Sequence, residues 1–507
     1  MAKRKHMAQR PVLAQSNIAQ SKVSRWIDKV SRPFFTEDPS PENHKIIDLQ
    51  QRAIWIVLAF LLQALVEIDT GWYYPFIAPF GSLIPFALIL GSFFAMWMAL
   101  RPSKKTPEEM VTPSKRYRGW QRFMLLVAFV LAIIGVVELG RAVYGSFGAP
   151  QFSNDGTSLD TNAAILLTQG ENPYTDSNIP ELVRRFNGDI PPEWTTPLRE
   201  GQFANRLNYP SVAELNSIWS TSFKADGNVP EFESKVSYPA LSFLSLLPYA
   251  IAQNYNVMSF YLLCYLLIVL FAWKISHPKL RPWVLLLALA NIPMWVSTVG
   301  GNLDIFYTLL LIISWIKRDQ RWVSAIFLGL AMATKQISWY FVPFYIILIL
   351  QHYNWKEMIY RISISGGLAL AINLPFIMWD PYTFYAGIMA PVRDPMFPMG
   401  VGLIGLSCTH LLPYFPEWVY SALEYGAIAA TIYVYWRICR KAPTAALLLA
   451  VIPLFFAWRS LSSYFYCVAF PIFMVMLAQT SVSTQSVFSF LKTSKSANAN
   501  QLTTVRI

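Results

Sequence analysis

Apolar stretches of roughly 15 to 23 residues recur along most of this chain, and no other feature restricts its fold as much. About 20 residues of helix cross the hydrocarbon core of a bilayer. Every backbone N–H and C=O must find its partner inside such a segment, so stretches of this length dictate membrane-spanning helices. Composition agrees: 54% of the 507 residues are hydrophobic and 14% are charged, against about 25% charged in ordinary soluble domains. The apolar surface therefore exceeds what a globular core requires, and the excess faces lipid. The first apolar run begins near Ala53 behind a polar tail, so it does not read as a cleavable signal peptide. The expected fold class is an all-α polytopic membrane protein with about 12 transmembrane helices and a large outer loop.

The expected spans are 53–71, 80–100, 121–143, 256–275, 282–298, 302–316, 322–337, 338–352, 360–378, 417–436, 442–457 and 462–478. Two further apolar stretches, Ser237–Ala252 and Gly400–Leu412, are short and Pro-bounded, and read as re-entrant or interfacial segments on the outer side. With these excluded, alternation puts 1–52, 101–122, 274–281, 317–321, 353–361, 437–441 and the tail after 479 on one side. Together they hold 31 of the 41 Lys and Arg, and the positive-inside rule makes that side cytoplasmic, both termini included. The net charge of +12 follows from this bias. Nucleic-acid binding would need a basic, aromatic-rich soluble domain, which is not seen.

Four regions follow: a basic cytoplasmic tail, 1–52; two helices and a basic loop, 53–120; the main membrane domain, 121–480, with the outer loop 144–236; and a cytoplasmic tail, 481–507. The basic tail reads as a solvated orientation signal or as a segment resting on anionic headgroups. Cys264, Cys408, Cys439 and Cys467 lie in or beside apolar segments, and the five His are scattered. Neither a disulfide framework nor a metal-ligand spacing is indicated, so no metal and no cofactor are expected.

A connection as long as 144–236 is usually functional. It is hydrophilic, with 12 Asp or Glu and 6 Lys or Arg. Apolar residues at 159, 163, 166 and 167 have helical spacing, and Gly170 followed by Pro173 supplies a stop. The spacing predicts a short helix at the membrane surface with Asp155 at or before its N-terminus, a position that suits a helix cap.

The run Asp155, Ala163-Ala164, Leu166-Leu167, Gly170 and Asn172-Pro173-Tyr174, placed directly after a span, resembles the first outer loop of GT-C glycosyltransferases. It is most similar to the bacterial branch that includes polyprenyl-phosphate-mannose-dependent mannosyltransferases. Further matches follow in order: Tyr238-Pro239-Ala240-Leu241 with Pro248, Gly301-Asn302-Leu303-Asp304, and Ala331-Met332-Ala333-Thr334-Lys335 with Pro343. The resemblance covers about residues 121–480. Three departures stand out: two spans precede the one leading into the loop, Ala240 replaces the usual second Pro after Tyr-Pro, and Gly156 stands where an aromatic is frequent.

The resemblance implies a multi-pass enzyme of the bacterial plasma membrane. It would transfer one sugar from a polyprenyl-phosphate donor to an acceptor hydroxyl on a glycolipid or glycan at the outer face. Such a reaction needs a base for the acceptor proton and cations for the departing phosphate. Asp155 matches the family's catalytic position, with Asp160 in reserve. Lys335 and Arg459 are cations within otherwise apolar stretches, where charge is costly and usually has a partner or a task. They are the donor-phosphate candidates, with snorkelling to the interface as the alternative.

Asn302, Asp304 and Tyr238 are candidate substrate contacts; Asn302 and Asp304 equally suit capping of the span that follows. Glu138 and Arg141 have the spacing of a local ion pair. Trp194, Tyr209 and Trp219 suit stacking on sugars or anchoring at the interface. No Walker-type loop appears and no cytoplasmic loop could house a nucleotide-sugar domain, which favours a lipid-linked donor. The rival class is a transporter or flippase of lipid-linked sugars, against which stands the lack of an internal repeat between chain halves.

Overall fold

The structure, a computed structural model, describes residues 29, 31–36, 38–72, 80–103, 106–112, 114–148, 150, 154–175, 196–225 and 229–479. The C-terminal tail, most of the basic N-terminal tail and Trp194 lie outside the described residues, as do the side chains of Asp69 and Trp219. What is described is mostly helical, and its one sheet is a two-residue parallel pair, Met399–Gly400 with Arg459–Ser460. Among the described residues, six helices are long and apolar enough to cross a membrane: His44–Glu67, Phe80–Leu100, Lys115–Gly145, Met258–Ile275, Trp355–Trp379 and Ser462–Gln479. The pair Pro278–Ala290 and Ile292–Val299, bent by 53°, makes a seventh if taken as one span.

Helix length therefore carries six or seven crossings, and the expected count of about twelve is not reached on this measure. The remaining apolar stretches are cut into pieces. Asp304–Ile316 has 13 residues, Arg321–Met332 has 12 and Val342–His352 has 11. Glu417–Ile438 is long enough, with 22 residues, but carries Glu417, Glu424 and Arg437 among its aromatics.

The breaks have local causes. Asn291 leaves the helical region and its side chain accepts from Met294 N, capping a new helix whose second residue is Pro293. Between Met332 and Val342 the chain runs through a turn at Ala333 and Thr334, an extended Lys335 and a 3-10 stretch, Gln336–Phe341, before Pro343 opens the next helix. Each break puts polar groups inside an apolar framework, and the candidate site is built from the one at Lys335 and from the turn at Gly300 and Gly301.

The membrane helices approach closely at glycines. A Cβ at Gly135, in Lys115–Gly145, would lie 1.7 Å from Leu289 O, and one at Gly329 would lie 2.6 Å from Ser365 O. Helices in lipid associate through such contacts, because small residues let backbones approach. The segments 317–321 and 353–361 are joined through buried Glu357, which accepts from exposed Arg321 and from buried Arg361, the latter at 2.7 Å. The expected pair of Glu138 and Arg141 forms at 2.9 Å.

The loop helix, Asp155–Thr168, begins at the expected residue and ends just before Gly170, whose φ of +79° suits the stop. Its setting differs from a membrane-surface helix: residues 156–166 are all buried. It packs on the short helices Leu241–Leu244 and Leu247–Ile251, formed by the segment read as re-entrant, around Leu159, Ala163, Phe243 and Leu246. Its polar face is buried because its hydroxyls have partners, Thr161 on Thr157 O and Ser158 on Asp155 O.

Gly135→Ala should destabilise the fold by about 1–3 kcal/mol, since the added methyl meets backbone that cannot yield. Gly140→Ala, on the same helix with nothing within 4 Å of its Cβ, should be neutral or slightly stabilising. Thermal unfolding of the two variants in detergent separates them, and equal midpoints would contradict the close approach.

Candidate active site

The site starts from the N-terminus of the loop helix. Asn154 caps it, accepting from Thr157 N at 2.9 Å, and donates through Nδ2 to Gly300 O at 3.0 Å. The Thr157 hydroxyl donates to Gly301 O. Gly301 has a φ of +67°, a conformation that favours glycine, and this turn leads into Asp304–Ile316. Two side chains thus fasten the loop helix to a turn some 145 residues away in sequence, which brings Asp155 toward Asp304.

Asp155 is half-buried, and its Oδ2 accepts from the Thr196 hydroxyl at 2.5 Å. Asp160 lies deeper on the same helix and is fully buried. Its Oδ1 accepts from Ser242 at 2.7 Å, while Oδ2 has no partner among the described residues. Burial pushes the Asp160 carboxyl up to about 7, with Ser242 and then Lys335 opposing and Asp155 adding to the rise. The two carboxylates therefore differ in kind: one is reachable, the other enclosed.

Asp304 and Lys335 form a buried ion pair, Oδ1 to Nζ at 2.7 Å. Lys335 Nζ also stands 5.1 Å from the centre of the Tyr238 ring, a cation–π contact. Asn302 accepts from Asp304 N at 3.1 Å, the local capping contact its position suggests, whereas Asp304 is committed to the lysine and caps nothing. Lys335 is accordingly held by a partner and does not snorkel.

Tyr238 accounts for a departure in the sequence. A Cβ at Gly156 would come within 2.9 Å of the Tyr238 ring, so the tyrosine occupies the space an aromatic there would need. Ala240 has a similar explanation: its N–H donates to Asn373 Oδ1 at 2.8 Å, which a proline could not do. The family-like segments interlock, Tyr174 donating to Tyr238 O at 3.0 Å and Leu241 N to Ala333 O at 2.9 Å.

Arg459 lies on the short parallel pair. Its Nη1 meets Met396 Sδ at 2.7 Å and its Nη2 meets Met399 Sδ at 3.7 Å; no carboxylate pairs with it among the described residues. Thioether sulfur is a weak acceptor, so the guanidinium keeps its charge available for an anion. Tyr464, in the 3-10 turn Ser462–Phe465, lies within electrostatic reach of Arg459, Lys335, Asp304 and Asp155. The segment bearing it is braced from the N-terminal helix, where Glu67 accepts from Ser462 and Gln63 donates to Phe465 O, each at 3.0 Å.

Beneath Thr196, Glu233 is buried with Oε2 unpartnered among the described residues. Burial and the neighbouring Asp394 hold its carboxyl above the usual range. No group of three or more His, Cys, Asp or Glu that could hold a metal ion occurs among the described residues. Sequence reasoning missed Thr196, Ser242, Glu233 and Tyr464. Ser242 alone had a signal, one helical turn beyond Tyr238.

The family model for glycosyltransferase family 87 matches residues 236–458. No curated protein and no solved structure matches the chain. The match takes in Tyr238, Asn302, Asp304 and Lys335, stops one residue short of Arg459, and leaves Asp155 and Asp160 outside. With the apolar helices, it supports a membrane glycosyltransferase acting on sugar substrates.

The ion pair determines what a lysine substitution does. Lys335→Met should destabilise the protein by about 3–5 kcal/mol by leaving a buried carboxylate unpaired, and adding Asp304→Asn should recover most of the loss. Unfolding midpoints of the single and double variants test this; a stable single variant would mean that Asp304 is neutral or solvated.

Proposed function

We propose that the chain transfers one sugar from a polyprenyl-phosphate donor to a hydroxyl of a glycolipid or glycan at the outer face of the membrane, with both termini cytoplasmic. The observation that carries this reading is the meeting of segments distant in sequence: Tyr238 lies against both Lys335 and Gly156, beside Asp155, and residues 196–198 run from Asp155 to Met396, whose sulfur meets Arg459. A base and two cations on one side of an apolar framework match the two demands of the reaction.

In this reading Asp155 takes the acceptor's proton as the acceptor oxygen bonds to the anomeric carbon. The bond from that carbon to the phosphate oxygen breaks, and the phosphate leaves with the electron pair. Arg459, free of carboxylate partners, and Lys335 meet the charge that grows there. Attack opposite the leaving phosphate gives inversion. Asp155 is favoured over Asp160 because a base must reach the hydroxyl it deprotonates, and Asp160 has no exposed surface and faces Ser242. The resemblance to polyprenyl-phosphate-mannose-dependent enzymes implies a hexose or a pentose as the sugar transferred.

Asp155→Asn should lower transfer by about a hundred- to ten-thousand-fold with folding intact, the usual contribution of a general base. Asp160→Asn should have a milder effect. The assay follows labelled sugar from membrane-extracted lipid donors into endogenous glycolipid. Full transfer by Asp155→Asn together with loss in Asp160→Asn would move the base five residues along the helix.

A further inference from the structure

The strap at residues 196–199 joins the carboxylate side of the site to the cation side. It is held by backbone on both flanks. Thr196 O accepts from Glu233 N at 2.8 Å, Leu198 N donates to Glu231 O at 2.8 Å, and Arg199 N donates to Pro395 O at 2.7 Å. Pro197 bridges to Phe232 and Leu198 to Met396, the residue whose sulfur meets Arg459. Thr196 itself is buried, with its hydroxyl on Asp155 Oδ2 at 2.5 Å. No other hydrogen bond to the Asp155 carboxylate is seen among the described residues, and in the proposed reaction Oδ1 is the oxygen that takes the acceptor's proton.

We infer that Thr196 is a positioning residue for the base. Its hydroxyl fixes which oxygen of Asp155 is occupied and therefore which lone pair meets the acceptor proton. The inference rests on the proposed role of Asp155. A carboxylate on a two-carbon tether rotates freely unless something holds it, and a base displaced from its line of attack loses rate without losing substrate affinity. The strap can do this because its backbone is held by Glu231, Glu233 and Pro395, independently of the Thr196 hydroxyl.

Thr196→Val removes the donor while keeping size, and Thr196→Ser restores it. With the full-length protein in detergent and the lipid donor as probe, Thr196→Val should lower kcat by about ten- to a hundred-fold, the span of one hydrogen bond to a charged group. KM should stay within about two-fold, as expected for an interaction that acts on the chemical step. Thr196→Ser should restore most of the rate. In the Asp155→Asn background, Thr196→Val should cost nothing further, because the group it positions is no longer a base.

Wild-type kcat in Thr196→Val, equal loss in the Val and Ser variants, or an undiminished loss in the Asp155→Asn background would each overturn the inference. If Asp155→Asn is itself fully active, the functional reading fails rather than the strap. If Asp155→Asn is inactive and Thr196→Val is unimpaired, the inference alone fails.

Discussion

Asn154 and Thr157 give their side-chain hydrogens to the carbonyls of Gly300 and Gly301, and every later feature of the site depends on that attachment. It fastens the start of a loop helix to a turn between membrane helices. The turn itself needs glycine at 301, and Asn302 then orders the start of Asp304–Ile316. Without the attachment Asp155 would sit on an unanchored loop. With it, a carboxylate is held beside a buried ion pair, and the helix can be enclosed by residues 241–251 because its own polar groups are already satisfied.

Charge inside an apolar framework has to be justified group by group. The Asp304–Lys335 pair meets this demand in part: one carboxylate oxygen takes the ammonium, while Oδ2 has no partner among the described residues. Asp160 repeats the pattern, with Ser242 on one oxygen and nothing on the other. A framework selected only for stability would do better with apolar side chains at such positions. Arg459 rests on two methionine sulfurs, with no carboxylate against it among the described residues, which suits the role proposed for it.

The parts of this arrangement that could be read from sequence were local. The start of the loop helix at Asp155, its end before Gly170 and the Glu138–Arg141 pair all follow from short-range spacing. Burial of that helix did not, because Thr157, Ser158 and Thr161 look like a solvent face until their partners are known. Thr196 meets Asp155 across 41 positions of chain, and Tyr464 lies within electrostatic reach of Asp155 from near the other end of the protein. Neither carries a periodic or compositional mark. Two departures from the family pattern, Gly156 and Ala240, acquire reasons only through Tyr238 and Asn373. Helix length alone supports six or seven of the twelve expected crossings, because capping at Asn291 bends one expected span and others are built from helices of 11–13 residues.

The central claim is that these groups make a glycosidic bond at the expense of a sugar–phosphate bond, and the most direct measurement is a mass balance. Purified protein would be reconstituted in vesicles with a synthetic polyprenyl-phosphate hexose and extracted acceptor glycolipid, and both lipids would be followed by mass spectrometry. The account predicts that the acceptor gains one hexose while an equal amount of free polyprenyl phosphate appears. Movement of the intact lipid-linked sugar across the vesicle bilayer, with no acceptor mass increase, would contradict it and make the chain a transporter.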